Sequence, residues 1–211
     1  MKSILSTLFI LGLIATPLSA QVDYETTMQQ SFDFMEQGQM QAAQGIFERI
    51  AMAETDKWVP LYHAANILVT QSFEATEQAE RETLLSKAKE LVAEAHDRSP
   101  NNAELLTLEG LLYTSYIVFD PATYGMIYSS KVSALHQRAL SHDPENPRAM
   151  INAVEFEMGS AQFFGRDTAP LCERAQVAIA AFETYESDVA FAPTHGLEKA
   201  ERIAASCEGD D

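Results

Sequence analysis

The chain has 211 residues, a formal net charge of -17, 46% hydrophobic residues and only two cysteines. That length makes one large domain or one continuous repeat array. The acidic balance argues against nucleic acid and anionic lipid as partners, since both require concentrated Lys and Arg, and leaves a solvated acidic surface or a basic protein partner.

Residues 1–20 read as a secretory signal peptide. Lys2 supplies the positive start, and Ile4 to Ala15 is an apolar run broken only by Ser6, Thr7 and Gly12. Pro17 and Leu18-Ser19-Ala20 form a cleavage region, which places the new N-terminus at Gln21. Residues 21–211 then form one helical domain ending in a short polar tail. No later apolar run is long enough for a membrane span, so the expected location is periplasmic or secreted.

Helical spacing begins at Tyr24, Met28, Phe32 and Met35, predicting a helix over 24–37 that Gly38 breaks. Met40, Ala43, Phe47 and Ile50 predict its returning partner, with a turn at Thr55-Asp56. Trp58 to Phe73 predicts the next helix, with Pro60 tolerated in its first turn. The polar segment 74–82 reads as a loop or an early helical extension. Leu84, Leu85, Ala88, Leu91, Val92 and Ala95 form an apolar face that ends before Pro100.

The stretch from Ser99 to Tyr113 is the plainest junction. Pro100 stops one helix, and Asn101 or Asn102 is placed to cap the next. Leu105, Leu108, Leu112 and Tyr116 continue at helical spacing over a helix from Ala103 to Phe119. Gly110 lies within it, where glycine costs about 1 kcal/mol relative to alanine, so a close neighbour is expected there. Asp120-Pro121 reads as the stop, with 121–128 as an aromatic connector before a helix through Val132, Leu135, His136 and Ala139. Arg148 to Met158 predicts another helix and Gly159 to Pro170 a second long connector. Leu171 to Tyr185 returns, Pro193 closes the unit, and Leu197 to Cys207 is a short terminal helix. Beta-branched alternation is sparse, while Ala, Leu, Glu and Gln fill these segments. The expected fold is all-α: a short right-handed solenoid of four modified antiparallel helical hairpins plus a terminal helix.

These hairpins resemble tetratricopeptide repeats. Leu106, Gly110 and Tyr113 match the family's first-helix pattern. Gly38, Ala43, Phe47 and Ile50, and also Ala88, Val92, Ala95 and Pro100, match much of its second-helix pattern. Val132, His136, Ala139 and Pro144 match more weakly, and Asp188 stands at a small-residue position. The spacing departs from the family: Pro100, Pro144 and Pro193 lie 44 and 49 residues apart, against about 34 in ordinary repeats. The leader and the Phe-Phe-Gly connector also resemble secreted repeat proteins of the Bacteroidetes type. The resemblance implies a scaffold for protein or peptide recognition.

No Gly-rich cofactor motif, HExxH, GxSxG or calcium loop occurs, and no cofactor, metal or catalytic residue is assigned. The five histidines are scattered, and Glu104 with Glu109, or Glu155 with Glu157, read as solvated helix faces rather than as a paired acid and base. Cys172 and Cys207 are candidates for a disulfide in a secreted protein, with two buried thiols as the rival. The contact candidates sit on the elaborations: Tyr124 and Tyr128 in the first, beside Tyr113, Tyr116 and Phe119; Phe163, Phe164 and Arg166 in the second, beside Phe156. Aromatic rings bury partner side chains and arginine holds a carboxylate. Non-catalytic recognition in the periplasm or an envelope assembly is therefore the leading function. The alternatives are a periplasmic enzyme in which Cys172, His195 and carboxylates converge, and a purely structural repeat protein.

Overall fold

The computed structural model describes residues 23–207, which hold nine α-helices and no strand. The signal peptide expected over residues 1–20 lies outside the described residues. The helices are α1 (Tyr24–Glu36), α2 (Met40–Ala53), α3 (Val59–Glu74), α4 (Gln78–Arg98), α5 (Ala103–Phe119), α6 (Pro121–His142), α7 (Pro147–Phe163), α8 (Ala169–Thr184) and α9 (Leu197–Ser206). Each of the first eight packs against its sequence partner, and α3, α5, α7 and α9 also lie side by side as an inner row. No helix among the described residues is long and apolar enough to cross a membrane.

Helix ends follow local chemistry. The Asn102 side chain accepts hydrogen bonds from the Glu104 and Leu105 amides at 2.9 and 3.3 Å, capping α5. Asn146 caps α7 in the same way through the Ala149 amide at 3.0 Å. Two arginines on α4 serve as C-terminal caps for other helices. Arg98 donates to the carbonyls of Ala51, Glu54 and Lys57 at 2.9–3.0 Å, at the end of α2. Arg81 donates to the Ser72 and Ala75 carbonyls at the end of α3, and its guanidinium lies 3.7 Å from the centre of the Phe119 ring. A cation placed on orphan carbonyls satisfies them and complements the negative end of the helix dipole.

Two connectors are shorter than the sequence suggests. Residues 121–128 are not a connector but the first two turns of α6. Asp120 ends α5 and also caps α6, its side chain accepting from the Thr123 amide at 3.0 Å, with Pro121 at the first position where no amide is needed. The second connector shrinks because α7 continues to Phe163 and α8 already starts at Ala169. The polar segment 74–82 is mostly helical too, since α4 begins at Gln78.

The interior divides into two clusters. The larger runs from Met28 on α1 to Ala149 on α7, with Phe47, Ile50, Leu61, Leu85, Leu105 and Leu112 fully enclosed. The smaller joins α7, α8 and α9 through Ile151, Val154, Ala175, Ala178 and Ala200. Helix α5 is buried around most of its circumference, so its apolar residues are not confined to one stripe. The close neighbour at Gly110 is the His136 ring: a Cβ there would lie 2.8 Å from its Cε1. Cys172 at the start of α8 and Cys207 beyond α9 form a disulfide, so neither is a free thiol.

Candidate functional site

The inner row encloses a groove of about 1120 Å³. Regular spacing supplies its lining. Tyr62, Asn66 and Thr70 recur every four residues on α3; Thr107, Leu111, Thr114 and Val118 follow on α5; Arg148, Asn152, Glu155 and Gly159 follow on α7. Positions three and four apart share one face of a helix, so each inner helix presents a single file of residues to the groove. His195, Gly196, Lys199 and Ile203 close the far wall, and Gly125, Met126 and Ser129 extend the near one from α6.

The groove is chemically two-ended. At one end stand exposed apolar groups: Met126 at 92%, Phe163 at 71%, and Phe164 and Val118 at 62% exposure. Exposed large apolar groups gathered on one groove mark a binding surface more often than lone surface residues do. The other end is polar. Arg148 donates from Nε to both carboxylate oxygens of Glu104, at 2.8 and 3.0 Å, and from Nη2 to Oε1 at 2.6 Å. Asn146 donates to the same carboxylate at 2.7 Å, and the Tyr185 hydroxyl donates to Asp143 at 2.6 Å. Lys199 bridges Asn152 and Glu155 at 3.0 and 2.8 Å. The enclosure of the Tyr62 hydroxyl, followed by the nearby Glu104 carboxylate, raises its pKa well above the ordinary value. His195 is open to the groove on one side, while the surrounding protein and then the Arg148 guanidinium hold its pKa below the ordinary value.

The residues singled out in the sequence divide between two faces. Phe163 and Phe164 line the groove and meet edge to face, with ring centres 5.0 Å apart. Arg166 stands beside them, its guanidinium 5.1 Å from the Phe164 ring. Tyr124 and Tyr128 do not line the groove. They stack on each other at 5.8 Å, with Tyr116 against Tyr124 at 5.2 Å and Tyr113 against Tyr128 at 4.9 Å. Placing 121–128 on a helix explains this: residues 124 and 128 lie one turn apart on a single face, whereas Met126 projects from another. The convergence of Cys172 with His195 fails as an active site, because the Cys172 sulfur is bonded to Cys207. The four glutamates considered as acids or bases are each in an ion pair: Glu104 with Arg148, Glu109 with Lys131, Glu155 with Lys199, and Glu157 with Arg174. Among the described residues, no group of three or more His, Cys, Asp or Glu could hold a metal ion.

Sequence reasoning missed Tyr62, Met126, Asn152 and Lys199. The polar files every three or four residues on α3, α5 and α7 were the available signal. They were obscured because polar residues facing a groove have the same periodicity as those facing bulk water.

No family model matches this chain, and comparison with curated protein sequences gives no match. Among solved structures, the HusA haemophore from Porphyromonas gingivalis is similar in fold, with a TM-score of 0.78 at 18% identity, covering 92% of this chain and 98% of that one. MamA RS-1, solved as an ArsTM double mutant, gives a TM-score of 0.49 at 16% identity over 79% of each chain. A thermophilic TPR protein from Thermus thermophilus gives 0.44 at 15% identity, over 88% of this chain and 98% of that one. The first likeness bears on fold alone, and the other two are too remote to carry an argument.

Proposed function

We propose that this chain is a non-catalytic binding protein whose inner groove captures a large, flat, mainly apolar ligand of the haem and porphyrin class. The carrying observation is the groove itself. Its volume of about 1120 Å³ lies just above the range of about 300–1,000 Å³ for small-molecule and cofactor sites. Its open end is walled by Met126, Phe163, Phe164 and Val118, side chains that bury ring faces without needing a hydrogen bond. The fold likeness to a haemophore supports this choice among apolar ligands. An export leader over residues 1–20, together with the Cys172–Cys207 disulfide, supports a periplasmic or secreted location, since disulfides persist in oxidising compartments.

Titration of residues 21–211 with haem and with metal-free protoporphyrin tests the reading. Saturable 1:1 changes in absorbance or tryptophan emission are expected, weakened at least tenfold by Phe163→Asp/Phe164→Asp. Saturation identical in the double variant would reject the groove as the site.

A second reading, protein or peptide recognition, is favoured by the exposure of the Phe163–Phe164 pair beside Arg166. In it the tetratricopeptide-like stack presents these rings to a partner, and the acidic surface draws a basic one at low salt. Affinity capture from envelope extract with wild type and Arg166→Ala distinguishes the two: a partner lost from the variant supports recognition, and its absence alongside porphyrin binding supports ligand capture.

A further inference from the structure

The polar end of the groove contains donors that the fold does not use. Tyr62 and Arg148 are both only 4% exposed, and both line the groove. Arg148 spends Nε and Nη2 on Glu104, while its Nη1 has no hydrogen-bond acceptor among the described residues. The Tyr62 hydroxyl has none either. Both residues line the groove, so a ligand seated there meets these two donors. Lys199 reaches from the far wall to Asn152 and Glu155, one and two turns along α7 from Arg148, and the Glu155 side chain is 44% exposed, so that carboxylate can turn to solvent and release the ammonium. Gly196 packs directly on these groups: a Cβ there would lie 2.8 Å from Phe182 Cζ and 3.3 Å from Arg148 Cγ.

We infer that Tyr62, Arg148 and Lys199 form a carboxylate-binding subsite, which orients an amphiphilic ligand with its acid groups at this end and its apolar body against Met126, Phe163 and Phe164. This rests on reading the groove as a ligand site. The ion pairs at this end are charge-balanced, Arg148 with Glu104 and Lys199 with Glu155. The subsite therefore selects its ligand through aimed donors rather than excess positive charge. Arginine and tyrosine donors suit a carboxylate, because hydrogen bonds to an ionised acceptor are shorter and stronger than neutral ones. An ester or an alcohol accepts more weakly and leaves the Arg148 donor poorly matched.

The test uses residues 21–211 as wild type, Tyr62→Phe and Lys199→Gln, with melting curves as the folding control. Arg148 is left intact, because removing it strands the buried Glu104 carboxylate. The probes are protoporphyrin IX against its dimethyl ester, and hexadecanoate against 1-hexadecanol, which separate a porphyrin acid from a fatty acid as the natural source. The diacid porphyrin is expected to bind wild type at least tenfold tighter than its ester. Each variant should erase most of that difference by weakening the diacid and leaving the ester unchanged. Equal affinity of diacid and ester for wild type, or an equal loss of both in the variants, would overturn the subsite. If neither porphyrin binds, the porphyrin reading fails, and the hexadecanoate pair still decides: a preference for the acid that Tyr62→Phe abolishes sustains the subsite, and equal affinity for acid and alcohol overturns it.

Discussion

His63 Nε2 donates a hydrogen bond to the Phe191 carbonyl at 2.8 Å across 128 residues of sequence. A carbonyl only accepts, so Nε2 carries a proton, and burial, which lowers the ring's pKa to about 4, keeps it neutral near pH 7. The Phe191 ring stacks on Phe32 at 6.1 Å and meets Tyr24 edge to face at 5.7 Å. The segment between α8 and α9 therefore returns to α1 and α3 and ties the last helices of the stack to the first. It also carries His195 and Gly196 into the groove wall.

That strap gives a stability prediction. Phe191→Ala removes the ring from the Phe32–Tyr24–His63 cluster while keeping the carbonyl. Phe191 is half-buried, so a loss of about 2 kcal/mol is expected, below the 3–5 kcal/mol typical of a fully buried aromatic. Urea denaturation measures it. A change under about 0.5 kcal/mol, the range of an ordinary surface substitution, would show that the strap contributes little to stability.

Acid should weaken the fold through two imidazoles. Burial lowers the His63 pKa to about 4 against the pull of its Phe191 hydrogen bond, and burial likewise lowers His136 to about 4. Unfolded histidine titrates near 6.5. The unfolded chain therefore binds the extra proton first. The stabilisation is complete above about pH 6.5 and is lost as pH falls toward 4. Each group should cost about 2 kcal/mol by pH 5 and about 3 kcal/mol by pH 4. Unfolding free energies at pH 7 and pH 5 test this, and His63→Gln should remove about half of the two-histidine contribution to the difference.

Gly110 and His136 should behave as a coupled pair. A methyl at position 110 would lie 2.8 Å from the His136 ring, so Gly110→Ala forces the imidazole off its position. Overpacking of this kind costs about 1–3 kcal/mol. In a His136→Ala background the same substitution should be neutral or stabilising, because alanine suits a helix better than glycine by about 1 kcal/mol. Equal effects in both backgrounds would break the coupling.

The Cys172–Cys207 bridge closes a loop of 35 residues, for which chain entropy gives about 3–4 kcal/mol. Reduction, or Cys172→Ala/Cys207→Ala, should loosen α9 first, since its interior contacts are carried by little more than Ala200 and Ala204. Faster amide exchange in α9 with α3 to α5 unchanged is the expected pattern. Uniform acceleration along the chain would mean that the stack unfolds as one unit.

Much of the helical order was legible in sequence because it is local. Pro100, Asn102 and Gly38 act on the turns beside them, and apolar residues three and four apart declare a buried face without reference to any partner. Asp120-Pro121 misled because one dipeptide both ends a helix and starts another, and the difference lies in the Asp120 cap on Thr123. The tyrosines were visible as a group, but their direction depended on whether 121–128 was helical. Sequence by itself determined an all-helical chain of hairpins with an acidic exterior and two well-placed cysteines. Tertiary structure alone decided that Phe191 returns to His63, that Met126, Phe163 and Phe164 line one groove while Tyr124 and Tyr128 do not, and that Tyr62 on α3 and Arg148 on α7 line that same groove. These are contacts between residues tens to more than a hundred positions apart. They depend on how helices stack and where a long loop travels, which no local periodicity encodes.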